Sequence, residues 1–155
     1  MITKMINIKT KFPPPLVALT FAFLINYTKT IFPKIEIKNE IIFGSFMIIS
    51  GLIIILFSII LFKKYQTTIT PLNPSNATKL ITDGIYKFSR NPMYLGLLSV
   101  LLGISIILNL IGGLFFIPLF ILYLNLFQII PEENAMIDLF KDDFIEYKKN
   151  VRRWI

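Results

Sequence analysis

The chain has 155 residues, 55% of them hydrophobic and 16% charged, with a formal net charge of +7. That is more apolar and less charged than a soluble domain, and the apolar residues fall in long runs, as in an integral membrane protein. There is no Cys and no His, which excludes disulfides, Cys/His metal sites and every His- or thiol-based catalytic arrangement.

Taken in chain order, the first run is "PPPLVALTFAFLINYTKTIF", residues 13 to 32. It is expected to be a retained membrane helix over about 14–32, with the prolines at its start and Lys29 reaching the far surface. "KTKFPPP" makes a poor signal-peptide leader. The second run, Ile41 to Phe62, is 22 uncharged residues, and about 20 cross a bilayer core. It predicts a span over 41–62. Gly44 and Gly51 within it suit close helix contact.

A loop over 63–92 follows, rich in Thr, Asn, Pro and Ser. It carries a small apolar set, Leu80, Ile81, Ile85, Tyr86 and Phe88, and a turn at Asp83-Gly84. Its end, "SRNPMYLG", has a bland reading: Asn91 caps a helix, Pro92 opens it, and Arg90 and Tyr94 sit at the interface.

Tyr94 to Ile130 is 37 residues without a charge. One helix that long would measure about 55 Å, too long for one crossing. The run is expected to be a hairpin of spans at 93–108 and 114–130, broken around Asn109–Gly113. Pro118 is placed to kink the second arm. The tail, 132–150, shows Met136, Leu139, Phe140, Phe144 and Tyr147 at spacings of three and four, an amphipathic helix expected at the cytoplasmic surface, on headgroups or against the bundle. Trp154 suits an interfacial anchor. Glu132 and Glu133 fall in its first turn, where the helix dipole favours carboxylates.

With four spans, 13 basic residues fall on one side and Lys29, Lys34 and Lys38 on the other. The positive-inside rule then places both termini and the 63–92 loop in the cytoplasm, in the inner membrane of a bacterium. The fold expected is an all-α membrane bundle of about four transmembrane helices, one domain over 1–155. The basic residues flank apolar runs and fit headgroups better than nucleic acid. No metal site is expected.

The succession "TKLITDGIYKFSRNPMYLG", helical hairpin, "PEENAMIDLFKDDFIEYKKNVRRWI" resembles the isoprenylcysteine carboxyl methyltransferase and phospholipid methyltransferase group of membrane enzymes, over roughly Thr67 to Ile155. The resemblance implies S-adenosylmethionine as cofactor and methyl transfer to a lipophilic acceptor at the cytoplasmic surface. It implies a cofactor pocket of Thr78, Lys79, Leu80, Ile81, Tyr86, Asn91, Pro92, Met93 and Tyr94, with Glu132 facing the cofactor. Arg90, Asn91 and Glu133 are positioning candidates. Much of the family has His where this chain has Asn91, and Gly where it has Lys141. The prenylcysteine enzymes carry an Arg one helical turn before the cofactor Glu, and here that position, a candidate substrate contact, is Gln128. Gln cannot form the charged fork that meets a carboxylate. Two other readings stand beside this one: a non-enzymatic transport or assembly protein, and a nicotinamide-dependent membrane reductase.

Overall fold

A computed structural model describes residues 12–67 and 77–155, and these are all-helical. Lys4, Lys9 and Lys11 of the expected charge asymmetry lie outside the described residues, as does 68–76 of the loop.

Helix α1 is Pro14–Tyr27, extended by a 3-10 turn at Thr28–Thr30. It starts where the prolines predict, because Pro13 supplies its carbonyl to Leu16 and Val17 while lacking only a donor that a helix start leaves unused. It ends a few residues short of the expected 32. Helix α2, Glu40–Lys64, begins one residue before the predicted span and ends two after it. It is long and apolar enough to cross a membrane, as is the rod that begins at Leu110. α2 turns Ile41, Ile42, Phe46, Ile49, Leu56 and Phe57 outward. So continuous an apolar exterior belongs in lipid.

The only α2 residues fully buried are Gly44, Gly51 and Ser58, because α2 packs closely on helix α3, Pro92–Leu108. A Cβ built on Gly51 would stand 2.5 Å from the Gly96 carbonyl, and one on Gly96 2.7 Å from that of Gly51. Gly44 and Gly103 form the same pair one helical stretch further on. Without a hydrophobic force between helices in lipid, such backbone approach is what gives dispersion contacts their strength.

The hairpin break is narrower than expected. Asn109 alone is extended, at φ −161° and ψ 107°, and helix α4 resumes at Leu110 and runs to Leu124. The Asn109 side chain accepts from the Gly112 backbone N–H at 2.9 Å, capping α4, and its amide donates to the Phe32 carbonyl at 3.3 Å. Gly112 and Gly113 are therefore inside α4, packed against Thr28 and Ser105. α1, α3 and α4 enclose a core of Ile25, Leu101, Ile117, Phe120, Leu124 and Ile129.

The tail differs most. Helix α5 is Ile130–Asn150 and is continuous with α4 through a π turn at Asn125–Ile129. Pro131 was the expected boundary, since proline clashes with the carbonyl four residues back. The wider π turn just before it relieves that clash. α5 bends instead at Lys141, whose φ of 44° and ψ of −117° are not helical.

Candidate active site

The start of α3 is where the chain is most tightly tied. The bland reading had Asn91 capping that helix, but its side chain makes no cap bond. It donates instead to the Arg153 carbonyl at 2.9 Å. Ser89 Oγ donates to the same carbonyl at 3.3 Å, and the Arg90 backbone N–H to that of Arg152 at 3.0 Å. The segment after α5 thus straps the start of α3. Trp154 continues the strap: it packs on the core, and its Nε1 donates to Asn125 Oδ1 at 3.3 Å. Trp154 is half-buried, and its indole N–H is used within the fold.

This strap brings α3 against the start of α5. The Tyr94 hydroxyl donates to Glu132 Oε1. No cation pairs with Glu132 among the described residues. Burial pushes its pKa up to about 8; the Tyr94 hydrogen bond pulls the other way and neighbouring Glu133 pushes further up.

Glu133 has the opposite surroundings. Arg90 Nη2 reaches its Oε1 at 2.9 Å, and Arg153 meets both oxygens, at 3.0 and 2.7 Å. Burial opposes its ionisation, yet the Arg153 hydrogen bonds and the charges of Arg90, Arg153 and Lys148 outweigh it and hold the carboxyl below its usual range. Two adjacent carboxylates therefore sit in different states, one clamped by arginines and one without a counter-ion. Arg90 itself is buried, and its Nε and Nη1 have no acceptor among the described residues. Unmet donors of a buried guanidinium call for an anionic group.

The two tyrosines behind Glu132 are also fixed. Tyr86, in a 3-10 turn at Gly84–Lys87, meets Phe62 edge-on at 5.8 Å between ring centres. Its carbonyl accepts from the Tyr147 hydroxyl at 2.6 Å. Burial raises the pKa of both phenols, so they stay neutral. The turn exists because Gly84 takes φ +58°, as the Asp83-Gly84 pair predicts. Asp83 accepts from Tyr65 at the end of α2, and Lys79 lies over the Tyr65 ring at 4.8 Å.

These elements wall a cavity of about 450 Å³, within the usual range for small-molecule sites. Of the expected site residues, Lys79, Leu80, Ile81, Tyr86, Arg90, Asn91, Met93, Tyr94, Glu132 and Glu133 line it. Thr78, Pro92 and Gln128 do not. Thr78 bonds to the end of α2, donating its hydroxyl to the Gln66 carbonyl. Pro92 is buried in the first turn of α3. Gln128 is buried in the π turn, where its amide donates to the Phe12 carbonyl at 2.8 Å.

Sequence reasoning passed over Pro13–Pro15, Ile55 and Phe62, and also Met136, Phe144 and Tyr147 of the tail stripe. The stripe was expected on headgroups or against the bundle, and Met136, Phe144 and Tyr147 of it line this cavity while Leu139 stays exposed. Among the described residues no group of His, Cys, Asp or Glu is arranged for a metal ion.

The sequence profile of the phospholipid methyltransferase family matches residues 39–143. An uncharacterized protein of Haemophilus influenzae is 40% identical over 63 residues, 41% of this chain and all of that protein. No solved structure matches the chain. The matched region spans about two-thirds of the chain and contains α2, α3, α4 and the Tyr94–Glu132 contact, and the chain belongs to the phospholipid methyltransferase family.

Proposed function

We propose that this protein is an S-adenosylmethionine-dependent methyltransferase, a single functional domain that modifies a lipophilic acceptor at the cytoplasmic face of a membrane. The carrying observation is Glu132: a carboxylate lining the cavity, bonded to a buried tyrosine and lacking a cationic partner among the described residues. A positively charged ligand supplies what it lacks.

When bound, S-adenosylmethionine supplies an activated methyl: the acceptor's lone pair forms the new bond to carbon, the S–CH₃ bond breaks, and its electrons leave on sulfur as a neutral thioether. The protein's own task is then to hold and align. Glu132 receives the cofactor's ammonium. Tyr86 and Tyr94 line the cavity and offer ring faces to a sulfonium. Arg90 is the donor for the cofactor's carboxylate, while Glu133, itself held by Arg153, keeps Arg90 in place. Lys79, Leu80 and Ile81 form the wall available to adenine and ribose. Alignment of this kind supplies up to about 7–11 kcal/mol of barrier lowering.

The acceptor's hydrocarbon stays in lipid while its reacting group enters the cavity. Four spans with both termini cytoplasmic put the basic ends of α2 and α5 on the same side as the cavity. The test is incubation of membranes containing the protein with methyl-labelled S-adenosylmethionine, followed by lipid extraction and mass spectrometry. Labelled lipid with the intact protein and not with Glu132→Gln supports the reading. Absence of label from every lipid, with no cofactor binding in detergent, overturns it.

A further inference from the structure

We propose that Gln128 is a positioning residue that fixes the acceptor-facing wall of the cavity, by holding the Phe12 carbonyl and through it the segment Pro13–Pro15. The inference rests on the methyltransferase reading above and concerns the other ligand, the lipid acceptor.

Gln128 is fully buried. Its Nε2 donates to the Phe12 carbonyl at 2.8 Å, a bond that joins residues 116 apart in sequence. Its Oε1 has no partner among the described residues. Turning the amide over would set that oxygen against the Phe12 carbonyl, so the orientation follows from chemistry. A buried amide with one acceptor unmet is a poor way to fill a core. What this one does is anchor a remote backbone segment.

The π turn makes the anchor possible. Asn125–Ile129 is wound wider than the helices on either side. Both polar side chains in it face inward to other parts of the chain, Asn125 to Trp154 and Gln128 to Phe12. One fastens the strap over α3, and the other fastens the start of α1.

The consequence lies one residue beyond Phe12. Pro13, Pro14 and Pro15 all line the cavity. They bring no charge and no donor, and their rings fix the backbone. α1 and α2 both pack on α3 but barely on each other, and Pro13–Pro15, Ile55 of α2 and Leu97 of α3 all line the cavity. An acyl chain leaving the cavity between α1 and α2 runs along a proline wall on one side. With the wall fixed the chain has a defined path. With Phe12 released, the start of α1 loses its hydrogen bond to the π turn.

The test uses the full-length protein in nanodiscs containing phosphatidylethanolamine with a diazirine in its acyl chain. Photolabel on Pro13–Pro15 is measured against label on Phe23, an outward residue of the same helix. Affinity for S-adenosylhomocysteine is measured alongside. In Gln128→Met, which keeps the size and removes the donor, the label ratio is expected to fall at least fivefold, with S-adenosylhomocysteine affinity unchanged within twofold. General damage to the fold would move both. A ratio that stays the same, or falls only together with cofactor affinity, overturns the proposal. Should Gln128→Met not fold, Gln128→Asn keeps an amide but draws the donor back from the Phe12 carbonyl, and it is read at the same positions. The same selective fall is expected, and an unchanged ratio overturns the proposal. Loss of S-adenosylhomocysteine binding by the unaltered protein would instead sink the methyltransferase reading beneath it.

Discussion

The Tyr94 hydroxyl donates to the Glu132 carboxylate, joining the first turn of α3 to the first turn of α5 across 38 residues. Each side chain alone has an ordinary explanation, an interfacial tyrosine and a dipole-favoured glutamate. Together in one cavity they make a polar pair beside the Arg90–Glu133 cluster in a mostly apolar wall. Tyr94→Phe removes the donor that opposes the upward push on Glu132. Cation binding to the cavity is therefore expected to weaken about tenfold at neutral pH, measured by calorimetry, because a charge-assisted bond contributes about 1.5–3 kcal/mol.

The pH dependence has a definite sign. The Glu132 pKa of about 8 lies above its value in an unfolded chain. Between about 4.5 and 8 the folded, ligand-free protein therefore holds more protons than the unfolded one. Its stability falls as pH rises through that window. Binding of a cation favours the ionised form, so affinity is expected to rise with pH up to about 8 and then level off. Calorimetry in buffers of different ionisation enthalpy should show proton release on binding at pH 7, and Glu132→Gln should abolish it.

Glu133 follows the reverse rule. Its carboxyl is held below the usual range, so the stability it contributes is present above its unfolded pKa and is lost as pH falls through its folded one. Both it and Arg90 have side chains under a tenth exposed. Glu133→Ala leaves Arg90 buried without its partner and is expected to destabilise the protein by about 3 kcal/mol, read as a lowered Tm in detergent. Arg153→Ala, on the more exposed side of the cluster, is expected to cost less.

The glycine pairs predict a failure of packing. Gly51→Val sets a side chain against the Gly96 carbonyl, where even a Cβ would stand at 2.5 Å. α2 and α3 must separate, at a cost of about 1–3 kcal/mol. Since Ile55 and Phe62 of α2 line the cavity, cofactor affinity should fall together with Tm.

Lys141 predicts a gain. A lysine at φ 44° and ψ −117° occupies backbone space that glycine takes without strain. Lys141→Gly is expected to stabilise the protein by about 1 kcal/mol. Thermal unfolding of the two chains side by side checks it.

How much of this was legible in the sequence depends on the kind of signal. The span at 41–62 lay within two residues of α2 because an uncharged run states its own limits, and 93–108 matched α3 because Pro92 and Asn109 bound it. The Asp83-Gly84 turn was legible because only glycine takes that conformation freely. Asn109 was recognised as a breaker, but its role as the cap of α4 depends on where Gly112 comes back in space. The join of α4 to α5 was hidden, since nothing around Pro131 announces the π turn that accommodates it. The strap was hidden for a different reason. Asn91 and Arg153 are 62 residues apart, and "VRRWI" reads as basic residues beside an interfacial tryptophan. The tail stripe of Phe144 and Tyr147 was plain in its periodicity. Periodicity names a buried face but not what lies against it. Ten of the thirteen expected site residues line one cavity, because the motifs that suggested them sit on the segments entering and leaving the helical hairpin.

The most direct measurement is calorimetric titration of S-adenosylhomocysteine into the detergent-solubilised protein, with Glu132→Gln as control. The account predicts saturable binding of one molecule per chain, weakened at least tenfold in the variant while the helical circular-dichroism signal is unchanged. Equal binding by both chains, or no binding to the unaltered one, would contradict it.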